Sequence, residues 1–329
     1  MLKSTMKRTA AATATGIAVT AMTVIAAAPL TGDVKIAGSS TVGPITMAIS
    51  EAFRAEQPDV QVQNAVTGTG GGFKRFCVGE TDISNASRPI KAAEYKTAKD
   101  NGIEFIEMPV AYDGLSICVN KANYWCNSLT MDQIKALFAD GSTVKTWNDL
   151  NAEWPKQEIK MFIPGTDSGT FDYFKEVVVG DSGNIRADVT VSEDDNILVQ
   201  GIANEAASIG FFGCAYYFEN QDKLKVVSVD GGAGPIAPTA ETIESGAYAP
   251  FSRPLFIYVN ARAAQRPEVK GFVQFYFRNA AKTASDVGYV ALPRSVYNKA
   301  MRNFMSGHTG TVFLDDAGNK VHGSLTELY

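Results

Sequence analysis

The chain has 329 residues, 45% hydrophobic and 20% charged, which is long enough for two globular lobes. Its formal net charge is -5, and no strongly basic run follows the first ten residues, which argues against a nucleic-acid partner. The overall charge would not attract an anion either. An anion site in this chain therefore has to depend on local amides, hydroxyls and single cationic side chains.

The N-terminal segment predicts an export signal. Lys3, Lys7 and Arg8 precede an apolar run rich in Ala and Thr that ends near residue 28. Small residues at its end predict cleavage after residue 26 or 27, and the pattern favours Ala26, which makes residues 1–26 a signal peptide. A membrane anchor is the alternative, but the run is too interrupted for a convincing span. We therefore expect an exported, periplasmic protein.

Export makes the cysteines interpretable. The chain contains four, Cys77, Cys118, Cys126 and Cys214. An even number in an oxidising compartment predicts two disulfides, and three connectivities are open. A zinc site is a weaker alternative, because no pair has C-x-x-C spacing and only His308 and His322 could assist. We therefore expect no metal.

The first predicted strand, residues 33–37, leads into the turn G-S-S-T-V-G-P. After it, Ile45, Ile49 and Phe53 recur at helical spacing. The first turn of a helix has unpaired N–H groups and a partial positive charge, which makes it a natural place for an anion. This strand, turn and helix form the first candidate anion site.

The next strand, residues 59–66, alternates and is followed by T-G-T-G-G-G. Consecutive glycines would let backbone amides of a helix start reach a small ligand, although a flexible loop is the alternative. A nucleotide loop fits poorly, because no G-K-[ST] follows. Further on, the stretch T-D-I-S-N-A-S-R predicts a short strand and a turn in which Arg88 can offer a forked donor to an oxyanion. A lone arginine is more often a surface charge.

A third candidate anion site is the segment P-G-T-D-S-G-T-F-D-Y-F at residues 164–174. It follows a predicted strand at 157–163, and Phe171, Phe174 and Val178 then continue at helical spacing. Asp167 or Ser168 suits the N-cap of this helix. An ordinary capped helix without a ligand is the alternative reading of this segment taken alone.

The remaining chain predicts a two-part organisation. The segments G-L-S-I-C-V-N (114–120) and P-L-F-I-Y-V-N (254–260) echo each other and predict two crossing strands between lobes. The other predicted elements are strands at 104–109 and 115–120 separated by a turn at 111–114, helices at 131–138 and 194–207, a buried strand at 207–217, helices at 267–278 and 296–305, and a hairpin around 315–319.

In this order, G-S-S-T, T-G-T-G-G-G, D-I-S-N-A-S-R and G-T-D-S-G-T-F-D-Y-F resemble the motifs of the exported phosphate-binding proteins of bacterial phosphate transporters, the PstS/SphX-like family. The resemblance extends from about residue 34 to the C-terminus. It implies an α/β, two-lobed type II periplasmic-binding-protein fold with two crossing hinge strands. The implied first lobe is 34–108 plus 254–329, and the second is 109–253, with hinges near 109–113 and 251–254.

The resemblance also implies where phosphate binds. The matching positions lie in one loop before each of three helices. They are Ser40, Thr41 and the backbone of Val42 in the first loop, Thr69 in the second, and Ser168, Gly169 and Thr170 in the loop of the second lobe.

Two departures from the family pattern concern charge. In the best-known members, an aspartate that accepts the phosphate proton stands where this chain has Arg88, and an arginine stands where this chain has Pro164. We infer that Arg88 takes over the charge-pairing role. A carboxylate that accepts a proton favours phosphate over sulfate, which carries none near neutral pH. Asp113 at the hinge and Asp167 in the second-lobe loop are the candidate acceptors.

The leading hypothesis is a monomeric binding protein, without a cofactor, that delivers inorganic phosphate to an inner-membrane ABC permease. A site for another tetrahedral oxyanion, such as sulfate, molybdate or a phosphonate, is the first alternative. A secreted phosphatase or serine hydrolase is the second. It would need a nucleophile with a base, or a metal, and both histidines lie outside every motif. We therefore expect a protein that is not an enzyme.

Overall fold

A computed structural model describes residues 29–166, 168–180, 182–192, 194–315, 317–321 and 323–329. The predicted signal peptide at 1–26 and the candidate acceptor Asp167 lie outside the described residues. Within the described residues, no helix has both the length and the apolar character needed to cross a membrane.

The first part of the chain alternates strands and helices. Its elements are β1 (Gly32–Gly38), α1 (Gly43–Glu56), β2 (Val60–Val66), α2 (Gly68–Phe76), β3 (Ile83–Ala86), α3 (Ala92–Asp100) and β4 (Phe105–Asn120). Helix α1 buries Ile45, Ile49 and Phe53, the residues whose spacing predicted it. Helix α2 includes all three consecutive glycines, so this segment is not a flexible loop.

The middle part contains shorter elements. They are β5 (Ser128–Thr130), α4 (Met131–Phe138), α5 (Trp147–Leu150), β6 (Lys160–Pro164), α6 (Gly169–Val179), β7 (Thr190–Ser192), α7 (Asp195–Asn204), β8 (Ser208–Gly213), α8 (Cys214–Glu219), β9 (Leu224–Val226), β10 (Ser228–Asp230), β11 (Pro235–Ile236) and α9 (Ala240–Glu244). The strand predicted at 207–217 is wrong in its second half, because the chain leaves β8 at Gly213 and forms α8.

The last part returns to the first lobe. It consists of β12 (Ser252–Asn260), a short 3-10 helix (Ala263–Gln265), α10 (Pro267–Asp286), α11 (Arg294–Ser306) and α12 (Leu325–Leu328). Helix α10 is longer than predicted, since Ala280 and Ala284 extend its buried face beyond the aromatic stretch. The predicted hairpin is confirmed by an antiparallel bridge between Leu314 and Lys320.

One continuous strand order, β2-β1-β3-β12-β4-β8-β6-β7, connects the two lobes. We call the part from β2 to β4 with its helices the first lobe, and the part from β4 to β7 with its helices the second lobe. Strand β1 is parallel to β2 and β3, whereas β12 is antiparallel to β3 and β4. Parallel strands place their carboxyl ends at one edge, so α1, α2 and α6 begin where the lobes face each other.

Strand β4 is the main crossing element. Residues 105–114 pair with β12 except for Val110, where the register shifts, and Leu115–Val119 pair with β8 of the second lobe. The predicted turn at 111–114 is therefore wrong. Asp113 and Gly114 pair with Arg253 and Ser252 in a buried ladder, and this long-range pairing overrides the local Asp-Gly turn preference.

The prediction of an α/β fold with two crossing strands is confirmed. The lobe boundaries taken from the resemblance, 34–108 plus 254–329 and 109–253, stay a prediction.

The prediction of two disulfides is not confirmed, because all four cysteines are buried free thiols. Cys77 follows α2 in the first lobe, whereas Cys118 and Cys214 lie in the second lobe on β4 and α8. Burial raises the pKa of the Cys77 thiol to about 11. Each thiol therefore packs as a small apolar side chain.

Glu107 of β4 is a buried carboxyl in the first lobe. It accepts hydrogen bonds from the hydroxyls of Tyr258 and Thr311 at 2.7 and 2.6 Å and from the Val312 N–H at 3.2 Å. Burial raises its pKa to about 7, and the three hydrogen bonds oppose that shift. Through these hydrogen bonds, the Glu107 carboxyl links the segment around Thr311 to the crossing strands β4 and β12.

Glu107 should make the free energy of unfolding depend on pH. Between about pH 4.5 and 7 the unfolded chain releases a proton that the folded state keeps, so stability should fall as the pH rises through this range. In Glu107→Gln this contribution is absent. Urea unfolding measures the free energy of unfolding at each pH. Between about pH 4.5 and 7, the wild type should lose roughly 3 kcal/mol more of this free energy than Glu107→Gln does.

Glu104→Gln, which changes an exposed carboxyl three positions earlier, is the control and should keep the wild-type slope. Identical pH profiles for wild type and Glu107→Gln would contradict the raised pKa of Glu107.

Candidate anion site in the interlobe cleft

A polar cavity of about 400 Å³ lies between the two lobes. The first lobe contributes Ser39, Ser40, Thr41, Gly68, Thr69, Gly70, Ser87, Arg88 and Lys91. The second lobe contributes Asp172, Tyr173, Lys175, Glu176 and Gly180, and Arg253 of β12 completes the wall. Four of the predicted site residues, Ser40, Thr41, Thr69 and Arg88, therefore come together in one cleft.

The loop before α1 is held at this cleft by contacts from three directions. The Thr41 carbonyl accepts a hydrogen bond from the Tyr289 hydroxyl at 2.7 Å, and Thr41 Oγ1 accepts one from Arg253 Nη2 at 3.1 Å. Ser40 Oγ donates to Asp172 Oδ2 across the cleft at 3.1 Å. Val42 lies buried behind the loop, where its N–H donates to Ser39 Oγ at 3.3 Å.

The first turn of α2, rather than a loop before it, places Thr69 beside Ser87. Thr69 Oγ1 accepts a hydrogen bond from the Ser87 N–H at 3.1 Å and lies 3.0 Å from Ser87 Oγ. Gly72 explains part of the glycine run, because a Cβ there would lie 2.5 Å from the Gly38 Cα. Gly72 thus allows α2 to approach the end of β1, and α2 carries Thr69 at the cleft.

The N-terminal end of α6, with Ser168, Gly169 and Thr170, lies against the same region, although these three residues are not part of the cavity wall. Ser168 is the N-cap, and its Oγ accepts a hydrogen bond from the Thr170 N–H at 3.2 Å. A Cβ on Gly169 would lie 2.8 Å from the Thr41 Cα, so the start of α6 touches the first loop. Residues one and two turns further along α6, Asp172 and Glu176, face the cavity instead.

Arg88 lines the cavity, but its forked donor faces Glu94 of α3. Nη1 and Nη2 donate to the two carboxylate oxygens at 2.9 and 2.8 Å, and the guanidinium lies 5.5 Å from the Phe73 ring centroid. The charge of Arg88 is therefore already paired within the first lobe.

Arg253 is the cation that sequence reasoning missed. Its Nε donates to Asp113 Oδ2 at 3.2 Å and its Nη1 to Glu176 Oε2 at 3.2 Å, in addition to the bond to Thr41. The guanidinium stacks 3.6 Å from the Tyr173 ring centroid, and the Tyr173 hydroxyl donates to the Pro250 carbonyl at 2.7 Å. Arg253 thus contacts the hinge and both lobes.

Asp113 lies behind Arg253 rather than on the cavity wall. The carboxyl is fully buried, and its Oδ1 has no hydrogen-bond partner among the described residues. Burial raises the pKa of Asp113 above its ordinary value, and the Arg253 guanidinium opposes that shift. The geometry makes Asp113 an anchor for Arg253.

Two signals in the sequence could have indicated these residues. Arg253 lies within the hinge predicted at 251–254, and Asp113 lies within the other predicted hinge. A charge pair between the two crossing strands could therefore have been predicted. Asp172 and Glu176 follow Ser168 at intervals of four, which places all three on one face of α6.

The arrangement suits the binding of a small oxyanion. Hydroxyl groups, two helix starts and a guanidinium surround the cavity, and hydrogen bonds to a charged group are stronger than those between neutral groups. The described residues of the cavity wall include no histidine or cysteine, and no cluster of His, Cys, Asp and Glu suited to a metal ion occurs among the described residues of the chain.

Two α/β lobes that are joined by crossing strands and enclose a polar cleft define a ligand-binding protein of the two-lobed class. A family model described as the PBP superfamily domain matches residues 23–280, and the chain belongs to this superfamily.

Two curated relatives are similar over most of their length. The chain is 47% identical to protein SphX of Synechocystis sp. over 283 residues, which cover 85% of this chain and 84% of that protein. It is 43% identical to the phosphate-binding protein PstS of Staphylococcus saprophyticus over 270 residues, or 82% and 83% of the two chains. The crystal structure of a possible phosphate binding protein from Planctomyces limnophilus superposes with a TM-score of 0.81 at 39% identity, covering 85% of this chain and 99% of that one.

Gly169→Ala should push the lobes apart. The added Cβ would lie 2.8 Å from the Thr41 Cα, which is too close for a backbone contact, so α6 and the first loop have to separate. We expect a larger radius of gyration in small-angle X-ray scattering and a loss of about 1–3 kcal/mol in the free energy of unfolding.

Gly70→Ala is the matched control, because Gly70 lines the same cavity and has no atom within 4 Å of an added Cβ. An unchanged radius of gyration in Gly169→Ala would contradict a rigid contact between the two lobes at this point.

Proposed function

We propose that this protein is an extracytoplasmic solute-binding protein that captures inorganic phosphate between its lobes and delivers it to an ABC transporter permease. The names of the relatives support the ligand, since one is called a phosphate-binding protein and the solved structure a possible phosphate binding protein. They also support a role in binding rather than in catalysis.

The observation that carries the proposal is the buried anchoring of Arg253 at the cleft. Asp113 fixes the guanidinium from behind, and Tyr173 stacks against it, while its outer face lines the cavity. An arginine held in one orientation loses little conformational freedom when it binds an oxyanion, and its planar fork matches two oxygens. The net charge of the chain is negative, so an anion in the cleft depends on local cations, and Arg253 is the one that Asp113 holds in place beside Thr41.

In this proposal Arg253 takes the charge-pairing role that the sequence suggested for Arg88. The hydroxyls of Ser40, Thr41 and Thr69 surround the anion from the first lobe, with the start of α1 after Val42 behind them. From the second lobe, Ser168, Gly169 and Thr170 at the start of α6 already lie against the first loop. The hydroxyl and amide donors neutralise the ligand charge by many short hydrogen bonds.

Selectivity for phosphate over sulfate requires an acceptor for the phosphate proton. We propose Asp172 for this role in place of Asp113, because Asp172 lines the cavity beside Ser40, whereas Asp113 lies behind Arg253. Asp167 remains a second candidate. A charged acceptor repels an oxyanion that has no proton to donate.

Export, a monomeric state and recognition by the permease belong to the same proposal. The N-terminal sequence predicts residues 1–26 as the signal that would carry the chain to the periplasm. Closure of the lobes over phosphate would give the permease a surface that differs from that of the open form. The main alternative, a site for another tetrahedral oxyanion, differs from this proposal only in selectivity.

Calorimetric titration of phosphate into the phosphate-stripped mature protein tests the assignment. We expect one bound phosphate per chain, and we expect Arg253→Gln to weaken binding by roughly 10- to 150-fold, the value of one charged hydrogen-bonding group. Arg302→Gln removes an exposed arginine that is not part of the cavity wall and should bind as the wild type does. Absence of phosphate binding in the wild type would overturn the proposal.

Sulfate competition tests the acceptor. The wild type should bind phosphate unaffected by excess sulfate, whereas Asp172→Asn should lose about tenfold or more of this discrimination, because the repulsive charge becomes a neutral amide. Asp113→Asn, measured in parallel, should weaken phosphate binding because Arg253 loses its anchor. Sulfate should still fail to compete with phosphate in this variant. Equal discrimination by Asp172→Asn and the wild type would rule Asp172 out.

A further inference from the structure

Arg253 bridges two carboxylates whose surroundings differ strongly. The Asp113 side chain is 0% exposed, and the Arg253 side chain is 15% exposed. The Glu176 side chain, by contrast, is 59% exposed, and its Oε2 lies 3.2 Å from Arg253 Nη1. One partner of the guanidinium is therefore fixed in the interior, and the other stands at the edge of the solvent.

The charges of this cluster decide which partner can leave. One guanidinium with two carboxylates carries a net negative charge, and an arriving oxyanion would increase it. Asp113 belongs to a buried strand, and without Arg253 its carboxylate would be an uncompensated charge in the interior. Glu176 can rotate into water, where an exposed ion pair of this kind costs little to break. The departure of Glu176 leaves Arg253 and Asp113 as a neutral pair, so an arriving oxyanion replaces a negative charge at the guanidinium instead of adding one.

Glu176 stands on the cavity wall beside a group that a bound oxyanion would use. Glu176 lines the cavity on α6, and Asp172, one turn earlier, accepts the hydrogen bond of Ser40 Oγ. Two carboxylates of one helix face thus engage a guanidinium and a hydroxyl that an oxyanion would also use. Both are contacts between α6 and groups on the opposite side of the cleft.

We propose that the Glu176 carboxylate is an intramolecular competitor of the bound anion at Arg253. It pairs with the guanidinium until the anion displaces it, and it thereby lowers the affinity of the site. The inference rests on the proposed function, because it takes phosphate as the displacing anion. On displacement, the link between α6 and Arg253 passes from a side chain of the protein to the ligand.

Three variants separate competition from simple charge repulsion. Glu176→Asp keeps the negative charge, but it is shorter by one methylene, about 1.5 Å, and moves the carboxylate out of hydrogen-bond range of Arg253. Glu176→Gln removes the charge. Glu153→Gln makes the same charge change at an exposed position of the second lobe outside the cavity wall. Each variant and the wild type are titrated calorimetrically with inorganic phosphate at one pH and ionic strength.

Competition predicts that Glu176→Asp and Glu176→Gln both bind phosphate more tightly than the wild type by about two- to fivefold, the value of an exposed ion pair. The Glu153→Gln control should match the wild type. Tighter binding by Glu176→Gln together with unchanged binding by Glu176→Asp would overturn the inference in favour of repulsion through space. Weaker binding by Glu176→Asp would overturn it by showing that the Glu176 contact assists the site.

The proposed function can fail separately from this inference. Absence of phosphate binding in the wild type and in Glu153→Gln removes the phosphate assignment and the competition together. Phosphate binding by the wild type with no gain in Glu176→Asp leaves the phosphate assignment standing and removes the competition alone.

Discussion

The buried pair of Asp113 and Arg253 is the interaction on which the cleft depends. The two residues lie opposite each other in the antiparallel register of β4 and β12, so the pair exists only when both crossing strands are correctly aligned. Loss of Arg253 would leave the Asp113 carboxylate uncompensated in the interior, which is costly. The same guanidinium contacts Thr41 of the first lobe and Tyr173 of the second. Strand register, the position of the lobes and the charge of the site are therefore linked through one side chain.

Around this pair, the site is built from the ends of regular elements. The loop before α1 and the first turn of α2 bring Ser40, Thr41 and Thr69 to the cleft, because parallel strands end at the same edge of the first-lobe sheet. Close backbone contacts at Gly72 and Gly169 bring these loops together. The cleft can thus concentrate hydrogen-bond donors in a chain whose overall charge is negative. The relation to SphX and PstS agrees with such an arrangement.

Sequence reasoning succeeded where the signal is local. Helix α4 has the predicted bounds, and α1 has the predicted buried face, since periodicity and capping act within a few residues. The prediction failed where contacts with residues distant in sequence determine the local structure. Asp113 and Gly114 have turn chemistry, yet pairing with β12 makes them part of a strand. Likewise, Arg88 lies beside a recognisable motif, but its guanidinium is paired with Glu94. Arg253 lies in no motif, and its position at the cleft depends on Asp113, a residue 140 positions away.

The position of β12 has a consequence for how the chain folds. This strand lies between β3 and β4, so the sheet of the first lobe has a gap until Ser252–Asn260 are present. The second-lobe strands, by contrast, pair with β4 and with one another. The paired residues there are closer in sequence than those of β12 and β4. Long-range pairing is the slow step in forming such sheets. The second lobe is thus expected to fold first, and the N-terminal strands stay incomplete until the last third of the chain joins them.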